Sequence, residues 1–418
     1  MRQLTFTCRP SPRHQFLRGR RRHFVTEADV RVVLDRLPGR LWERVKGVHF
    51  NDRARGRRCL GYVRQGRDEI ALCSLPQRIS LAAFLRRSQS PAQFGAVRGC
   101  QWPSLAVRRF MLYDVFLHEL GHLQIVDEKA KSIRRKFADE TRAQDFAEYW
   151  CRTLWSQPFD HPDPVHGPPT PEELEALNHG WKTSHGDYKK GLLCEESEQY
   201  EEAALLFTRA VERYPGHAPA LERLGALTYA GKGTAQSTVG SIEILSEAVR
   251  LDPTLEDANL FLAMALAREG REAEARRCFE RAMLIDSYHP LSMAVYADSL
   301  ADWGCFDEAE ALFLKALKKN DRCVMTIRDY ARCLVRRPDP EGEANIGRAV
   351  ELFARAVAID PDDAESHYRL GDVLLCVDGE EERAVAQLEQ ALKIAPSHAK
   401  AAERLAEIQA ERNGLDES

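Results

Sequence analysis

The chain has 418 residues, 44 % of them hydrophobic and 30 % charged, a balance typical of globular proteins and enough for about two to four domains. It contains no run of eighteen apolar residues, which excludes an ordinary membrane helix, and the opening MRQLTFTCRPSPRHQF breaks up too early for a secretory signal. Eleven scattered cysteines form no Cys-x-x-Cys pair, so a disulfide framework and a cysteine zinc knuckle are both disfavoured and a cytoplasmic location is expected. The net charge of −4 hides a split. Residues 1–155 carry 31 basic against 15 acidic side chains, and the remainder 29 against 49. Such asymmetry calls for an anionic partner or for docking of one half on the other. Arginines cluster at Arg18 to Arg22 and Arg53 to Arg58, but no aromatic-basic interleaving accompanies them. A solvated basic face is the plainer reading beside nucleic-acid contact or, for the acid-free first 26 residues, a transit peptide.

After a basic segment at 1–25, Thr26 with Asp29 signals a helix running through Leu37. Val45–Phe50 reads as a short strand. Cys59–Val63 and Glu69–Cys73 read as two more, joined around Gly66-Arg67-Asp68. The apolar periodicity from Val107 to Val126 predicts one long helix carrying His118-Glu119-Leu120-Gly121-His122. Side chains four apart on a helix share a face, so His118 and His122 can grip one Zn2+ while Glu119 deprotonates a water on it. A catalytic zinc needs a third protein ligand. Asp127 and Glu128 follow His122 too closely, and His161 falls in a proline-rich stretch. Glu140 lies eighteen residues past His122, room for a turn and a second helix that packs across the first.

Helix, small antiparallel sheet, then a helix bearing the motif is the order expected of zincin-type proteases. In that order Glu69–Cys73 becomes the edge strand on which an extended peptide can pair. The segment Glu140-Thr-Arg-Ala143-Gln-Asp-Phe146-Ala147 resembles the Glu-x-x-Ala-(Asp/Asn)-x-aromatic-Ala signature of gluzincins, among them the ImmA/IrrE-type and HtpX-like peptidases. The resemblance makes Glu140 the third zinc ligand, with Ala143 and Ala147 letting the two helices approach and Phe146 in the core. Where those families carry an Asp or Asn that orients a ligating histidine, this chain has Gln144, with Asp145 alongside. Asp114, one turn before His118, is an alternative partner, although a cleft-rim or helix-surface carboxylate is the plainer reading. Tyr149, Arg152 and His179 are the candidates for steadying an oxyanion.

Six prolines between Pro158 and Pro171 mark a linker, and Thr170-Pro171-Glu172-Glu173 reads as a helix start with a capping box. Beyond it a small-apolar-Ala triplet recurs six times: Ala203-Phe207-Ala210, Ser241-Leu245-Ala248, Ala275-Phe279-Ala282, Ala309-Phe313-Ala316, Ala349-Phe353-Ala356 and Ala384-Leu388-Ala391. Glycines are expected to open the first helix of a unit at Gly191 and Gly371, or to end it at Gly270 and Gly304. The pattern resembles the tetratricopeptide repeat (TPR), with a capping helix from Ser397 onward.

The fold expected is therefore an α+β zincin-like metalloprotease domain at 26–157, a proline-rich linker at 158–171, and an all-α TPR solenoid of six repeats plus a cap at 172–418. The function implied is a zinc metalloendopeptidase acting on a protein substrate recruited through the repeats. The alternative is a non-catalytic TPR adaptor with a degenerate zincin domain, regulatory and near nucleic acid. A further version has the acidic repeats close over the basic domain as an inhibitory lid.

Overall fold

The computed structural model describes residues 5–9, 21–51, 59–64, 66–76, 79–125, 133–232, 238–285, 290–338 and 343–416. They form two compact units, Met1–Asp286 and Ser287–Ser418. The first unit contains a mixed sheet in the order β1 (Thr5–Arg9), β3 (Gly47–Asn51), β5 (Glu69–Cys73), β4 (Gly61–Arg64). The first three run parallel and β4 is antiparallel to β5. A two-residue strand, β2 (Arg21–Arg22), pairs with β6 (Leu75–Pro76). The expected strands are present, but the sheet is mixed rather than antiparallel, and two further corrections follow. The strand at the sheet edge is β4, and β5 lies inside the sheet, where Ile70, Ala71, Leu72 and Cys73 are all buried, as a strand covered on both faces requires. The described parts of the basic start are also structural, since β1 joins the sheet and β2 the small ladder. The turn before β5 holds Gly66 and Asp68 at φ of 79° and 53°, the left-handed region that tight hairpin turns use.

Helix α1 (Glu27–Arg36) begins with the capping box read from the sequence, Thr26 and Asp29 bonding each other's backbone. The motif helix is interrupted. Ser104–Phe110 (α2) leads into a π-helical turn, Met111–Phe116, before α3 (Leu117–Gln124). Every residue from Trp102 to Leu117 is buried, so this is a core helix rather than a surface one. After it comes α4 (Ile133–Ser156).

Two guanidinium groups sit inside the core. Arg108 reaches Asp29 at 2.9 Å, Asp163 at 2.5 Å and the Leu251 carbonyl at 2.9 Å. Arg109 forks onto Glu173 at 2.6 and 2.9 Å and donates to the Gly167 and Pro164 carbonyls. The proline-rich stretch is accordingly no free spacer. Val165 and His166 are buried, and the segment packs inside the first unit. Thr170 caps α5 (Pro171–Glu196) as expected, but Glu173 turns its carboxylate to Arg109 instead of closing the capping box. A buried guanidinium is a stronger partner for a carboxylate than a backbone N–H.

The helices that follow in the first unit are α6 (Tyr200–Arg213), α7 (Ala218–Tyr229), α8 (Thr238–Leu251), α9 (Glu256–Arg268) and α10 (Glu272–Ile285). The second unit holds α11 (Pro290–Asp302), α12 (Phe306–Lys319), α13 (Val324–Arg336), α14 (Glu343–Ile359), α15 (Ala364–Leu374), α16 (Glu381–Ile394) and α17 (Ala399–Asp416). They pack as successive antiparallel pairs, α5 with α6 through α15 with α16, and α17 covers α16. The eighteen triplet residues lie on the second helix of each pair, none more than 2 % exposed. Gly191, Gly225 and Gly371 show why small residues recur opposite them. A Cβ at these positions would meet Phe207, Leu245 and Leu388 at 2.5, 2.5 and 2.8 Å. Gly191 and Gly371 thus lie within helices at the crossing and do not open them. Gly270 and Gly304 do end helices, at φ of 73° and 76°.

Within the first unit, the turn between α8 and α9 is tied to the N-terminal part through charge. Arg22 meets the fully buried Asp252 at 2.6 Å and Thr254 at 2.8 Å, in the turn between α8 and α9. Arg21 bonds Ser74, so both described members of the first arginine cluster are used internally. The other cluster, Arg53 to Arg58, lies outside the described residues.

Replacing Arg108 with Leu leaves Asp29 and Asp163 without their cation, and a loss of about 3–5 kcal/mol is expected in denaturant unfolding of the full chain. Acid should act on the same unit through His217, buried at the start of α7, where its Nδ1 accepts the Ala220 N–H. Burial, then the neighbouring His185, lowers its pKa to about 3. The unfolded chain therefore takes up a proton near pH 6.5 while the folded chain does not, so this contribution to stability is present above pH 6.5 and is lost as pH falls toward 3. His217→Asn, which keeps a cap acceptor, should flatten the pH dependence of the melting temperature across that window.

Candidate metal centre

The site is built where α3 crosses α4. Gly121 makes the crossing close: a Cβ there would stand 2.9 Å from the Ala143 carbonyl oxygen and 3.0 Å from its Cα. Ala143 and Ala147 are fully buried at the contact, while Phe146 is half-buried beside Gly121 rather than in the core. The crossing brings Glu140 over the histidine face of α3. His118 Nε2 and His122 Nε2 are 3.1 Å apart, and Glu140 oxygens lie 3.3 Å from the first and 3.5 Å from the second. A tetrahedral zinc with arms of about 2.0–2.1 Å separates its ligand atoms by about 3.3–3.4 Å. Three donors of the right chemistry therefore already stand near the edge lengths of such a polyhedron, and the residues fit a zinc ion.

Without a cation these groups interact directly. Burial works against a charge on His118, but Glu140 and Glu119 outweigh it and hold its pKa above the usual value. Burial, then His118, lowers the pKa of His122. The hydrogen bond with His118 leads in lowering that of Glu140. Glu119 is 7 % exposed and faces the edge strand β4. Gly61 allows this approach, since a Cβ there would meet Glu119 Cγ and Val115 Cγ1 at 3.0 Å. The Val63 backbone hydrogen-bonds the Glu119 carboxylate, yet burial, with Glu140 adding to it, raises that carboxyl to about 7. A carboxylate so placed is matched to proton transfer near neutral pH.

Behind His118 stands Gln144, its Oε1 at 3.1 Å from Nδ1. Gln144 Nε2 donates to Asp114 Oδ1 at 2.9 Å, and Gln89 Nε2 donates to the same oxygen at 2.6 Å. Burial pushes the Asp114 carboxyl up, and the two amides pull it down. The structure thus gathers His118, Glu119, His122, Glu140, Gln144 and Asp114. Gln89, the Val63 backbone and Gly61 join them without a sequence signal, because only the tertiary fold brings their loop and strand to the helix. Gln144 and Asp114 are not alternatives but consecutive members of one chain of hydrogen bonds.

The oxyanion candidates fall elsewhere. Tyr149 and Arg152 lie nine and twelve residues beyond Glu140 on the outer side of α4, roughly 13 Å or more away along the helix. Tyr149 is 62 % exposed and Arg152 pairs with Glu148. His179 is exposed and bonds the Glu175 carbonyl within α5. His161 stays in the proline-rich segment, stacked on Phe159, and Asp127 and Glu128 lie outside the described residues. A second group of donors, Asp29, Asp163 and His166, already surrounds the Arg108 guanidinium and is an ion-pair cluster rather than a metal site.

Comparison with known proteins falls on the repeats. Residues 256–289 and 343–399 match the tetratricopeptide repeat family, and with the helix pairs above they show that the chain carries such repeats. The peroxisomal targeting signal receptor of Kluyveromyces lactis is 24 % identical over 225 residues, 51 % of this chain and 36 % of that receptor, so the chain spans about a third of this curated relative. Among solved structures, YrrB, a TPR protein with an unusual peptide-binding site, is 19 % identical with a TM-score of 0.34, covering 47 % of this chain and 96 % of its own. The APC/C hetero-tetramer Cut9-Hcn1 is 18 % identical with a TM-score of 0.44, covering 54 % of this chain and 42 % of the other.

Because the Gly121 contact is with backbone, Gly121→Ala must push α4 away from α3. It should cost about 1–3 kcal/mol in thermal or denaturant unfolding and weaken zinc binding measured by chelator competition, while Gly186→Ala, in α5 where a Cβ meets nothing within 4 Å, provides the control for a substituted helix glycine.

Proposed function

We propose that this chain is a protein-binding protein whose first unit carries a zinc-dependent peptidase site, with the repeats recruiting or presenting the protein to be cut. The observation that carries the reading is the grouping of His118, His122 and Glu140 at distances a zinc ion would accept, with the buried Glu119 beside it. Zinc held there would supply an activated water and polarise a peptide carbonyl. The chain's own groups do the rest. Glu119 takes a proton from the attacking water and delivers it to the departing amine. Edge strand β4 lies next to Glu119 and offers an extended substrate a place to pair, so that its scissile bond runs past the base. The lid version finds a different support. The contacts of Arg22 and Arg108 with the α8–α9 turn gather at the α2 end, about 15 Å along the helix from His118, which fits a fixed platform better than a cover. No helix among the described residues is long and apolar enough to cross a membrane, and we propose a cytoplasmic site of action.

A second reading drops the turnover: an interaction adaptor whose zincin-like part is degenerate. It is favoured by the comparisons, which support the repeats alone. Elemental analysis of protein purified without added metal separates the readings together with a cleavage assay on an unfolded protein. The peptidase requires about one zinc per chain, lost in Glu140→Ala, and a Glu119→Gln variant that keeps zinc but loses about 10²–10⁴ of the hydrolysis rate. Zinc without hydrolysis favours the adaptor, and no zinc after zinc is supplied rejects the peptidase and leaves the adaptor with function on its repeats.

A further inference from the structure

The side chains behind His118 form a sequence in which the direction of every hydrogen bond is forced by the one before it. It starts at the Arg86 backbone N–H, a group that can only donate, 3.0 Å from Gln89 Oε1. With that oxygen committed, Gln89 turns its nitrogen to Asp114 Oδ1 at 2.6 Å. Gln144 Nε2 reaches the same Oδ1 at 2.9 Å, which leaves its own Oε1 facing His118 Nδ1 at 3.1 Å. An amide oxygen only accepts, so Nδ1 bears a proton, and in the neutral imidazole Nε2 therefore turns its lone pair toward His122 and Glu140. Asp114 and Gln144 are 8 % and 5 % exposed, so water does not compete for the bond between them. The turn that begins the sequence is itself anchored, by Gln89 N–H on the Arg86 carbonyl and by the Ser88 hydroxyl on Glu148 of α4.

We propose that Asp114 is a positioning residue for the metal site, acting through Gln144 to hold His118 in the tautomer whose Nε2 can bind a cation. The assignment rests on the reading of His118 as a ligand. It replaces the direct carboxylate–histidine contact with a longer one in which a side-chain amide passes on the orientation set by a buried acceptor. It also accounts for a buried carboxylate on one oxygen of which two amide donors converge, with no salt bridge among the described residues and with His118 and Arg86 acting on it only through space.

The test uses the full chain and two readouts. Zinc affinity is measured by chelator competition, and the His118 tautomer by nitrogen-15 spectra of histidine-labelled, metal-free protein at alkaline pH, where the imidazole is neutral. Asp114→Ala and Gln144→Met should each weaken zinc binding about 10–100-fold, and the double variant no more than the stronger single one, because Asp114 works through Gln144. Asp114→Asn should stay near the parent in both readouts, since one amide oxygen can accept both donors. Asp114→Leu fills the volume and replaces Asp114→Ala should the latter not fold. Losses that add in the double variant, or an unchanged Nδ1-protonated spectrum in Asp114→Ala or Asp114→Leu, overturn the proposal. A parent chain that binds no zinc rejects the metal reading, and the metal-free spectra still decide whether the relay sets the tautomer.

Discussion

The burial of two adjacent arginines in one core helix is the constraint on which the first unit depends. Arg108 and Arg109 are about 1 % exposed or less, and ions cannot be taken out of water without partners close at hand. Their partners come from everywhere else: Asp29 at the start of α1, Asp163 and the carbonyls of Pro164 and Gly167 in the proline-rich segment, Glu173 in α5 and the Leu251 carbonyl at the end of α8. The change of charge near residue 155 falls inside one folded unit, Met1–Asp286, and part of the charge difference is spent there. The proline-rich segment illustrates the logic. Its prolines forbid α-helix and central strand and leave one 3-10 turn at Pro164–His166, and the Arg109 guanidinium takes the Pro164 and Gly167 carbonyls there.

Much of the architecture was legible before the structure. Six triplets at helical spacing can be satisfied only by helix pairs crossing closely, and all eighteen positions are buried at such crossings. The Thr26–Asp29 cap, the hairpin around Gly66 and the ends at Gly270 and Gly304 were legible too, since each is a local requirement that a few residues meet by themselves. Within the candidate site, the spacing of His118 and His122 fixed one face, and the second helix with Glu140 followed from distance along the chain.

What stayed hidden depends on contacts distant in sequence. Strand order cannot be read from strand content, so β5 passed for an edge strand although its unbroken apolar run was a sign of burial on both faces. Glu173 carried the spacing of a capping box, but nothing local announces Arg109 as its competitor. Tyr149 and Arg152 were selected for chemistry near the right helix without knowing which side of α4 faces the ligands. Gln89 could not be found at all, because a glutamine in a loop has no signature until the loop is placed. In each case local chemistry named a capability, and the tertiary fold decided which partner used it.

The π-helical turn at Met111–Phe116 gives the motif helix two angular phases. A regular α-helix advances about 100° per residue, and a wide turn accommodates one residue more than its neighbours. Upstream, the phase is set by the guanidinium groups, which must point toward α1, the proline-rich segment and the repeats. Downstream, it is set by the imidazoles, which must point toward α4. A single uninterrupted spiral would lock these two bearings together, so that satisfying the anchor would swing the imidazoles about 100° around the axis. The extra residue uncouples them. One rod can then serve as a keystone at one end and as half of a cleft at the other, with neither orientation compromised by the needs of its opposite end.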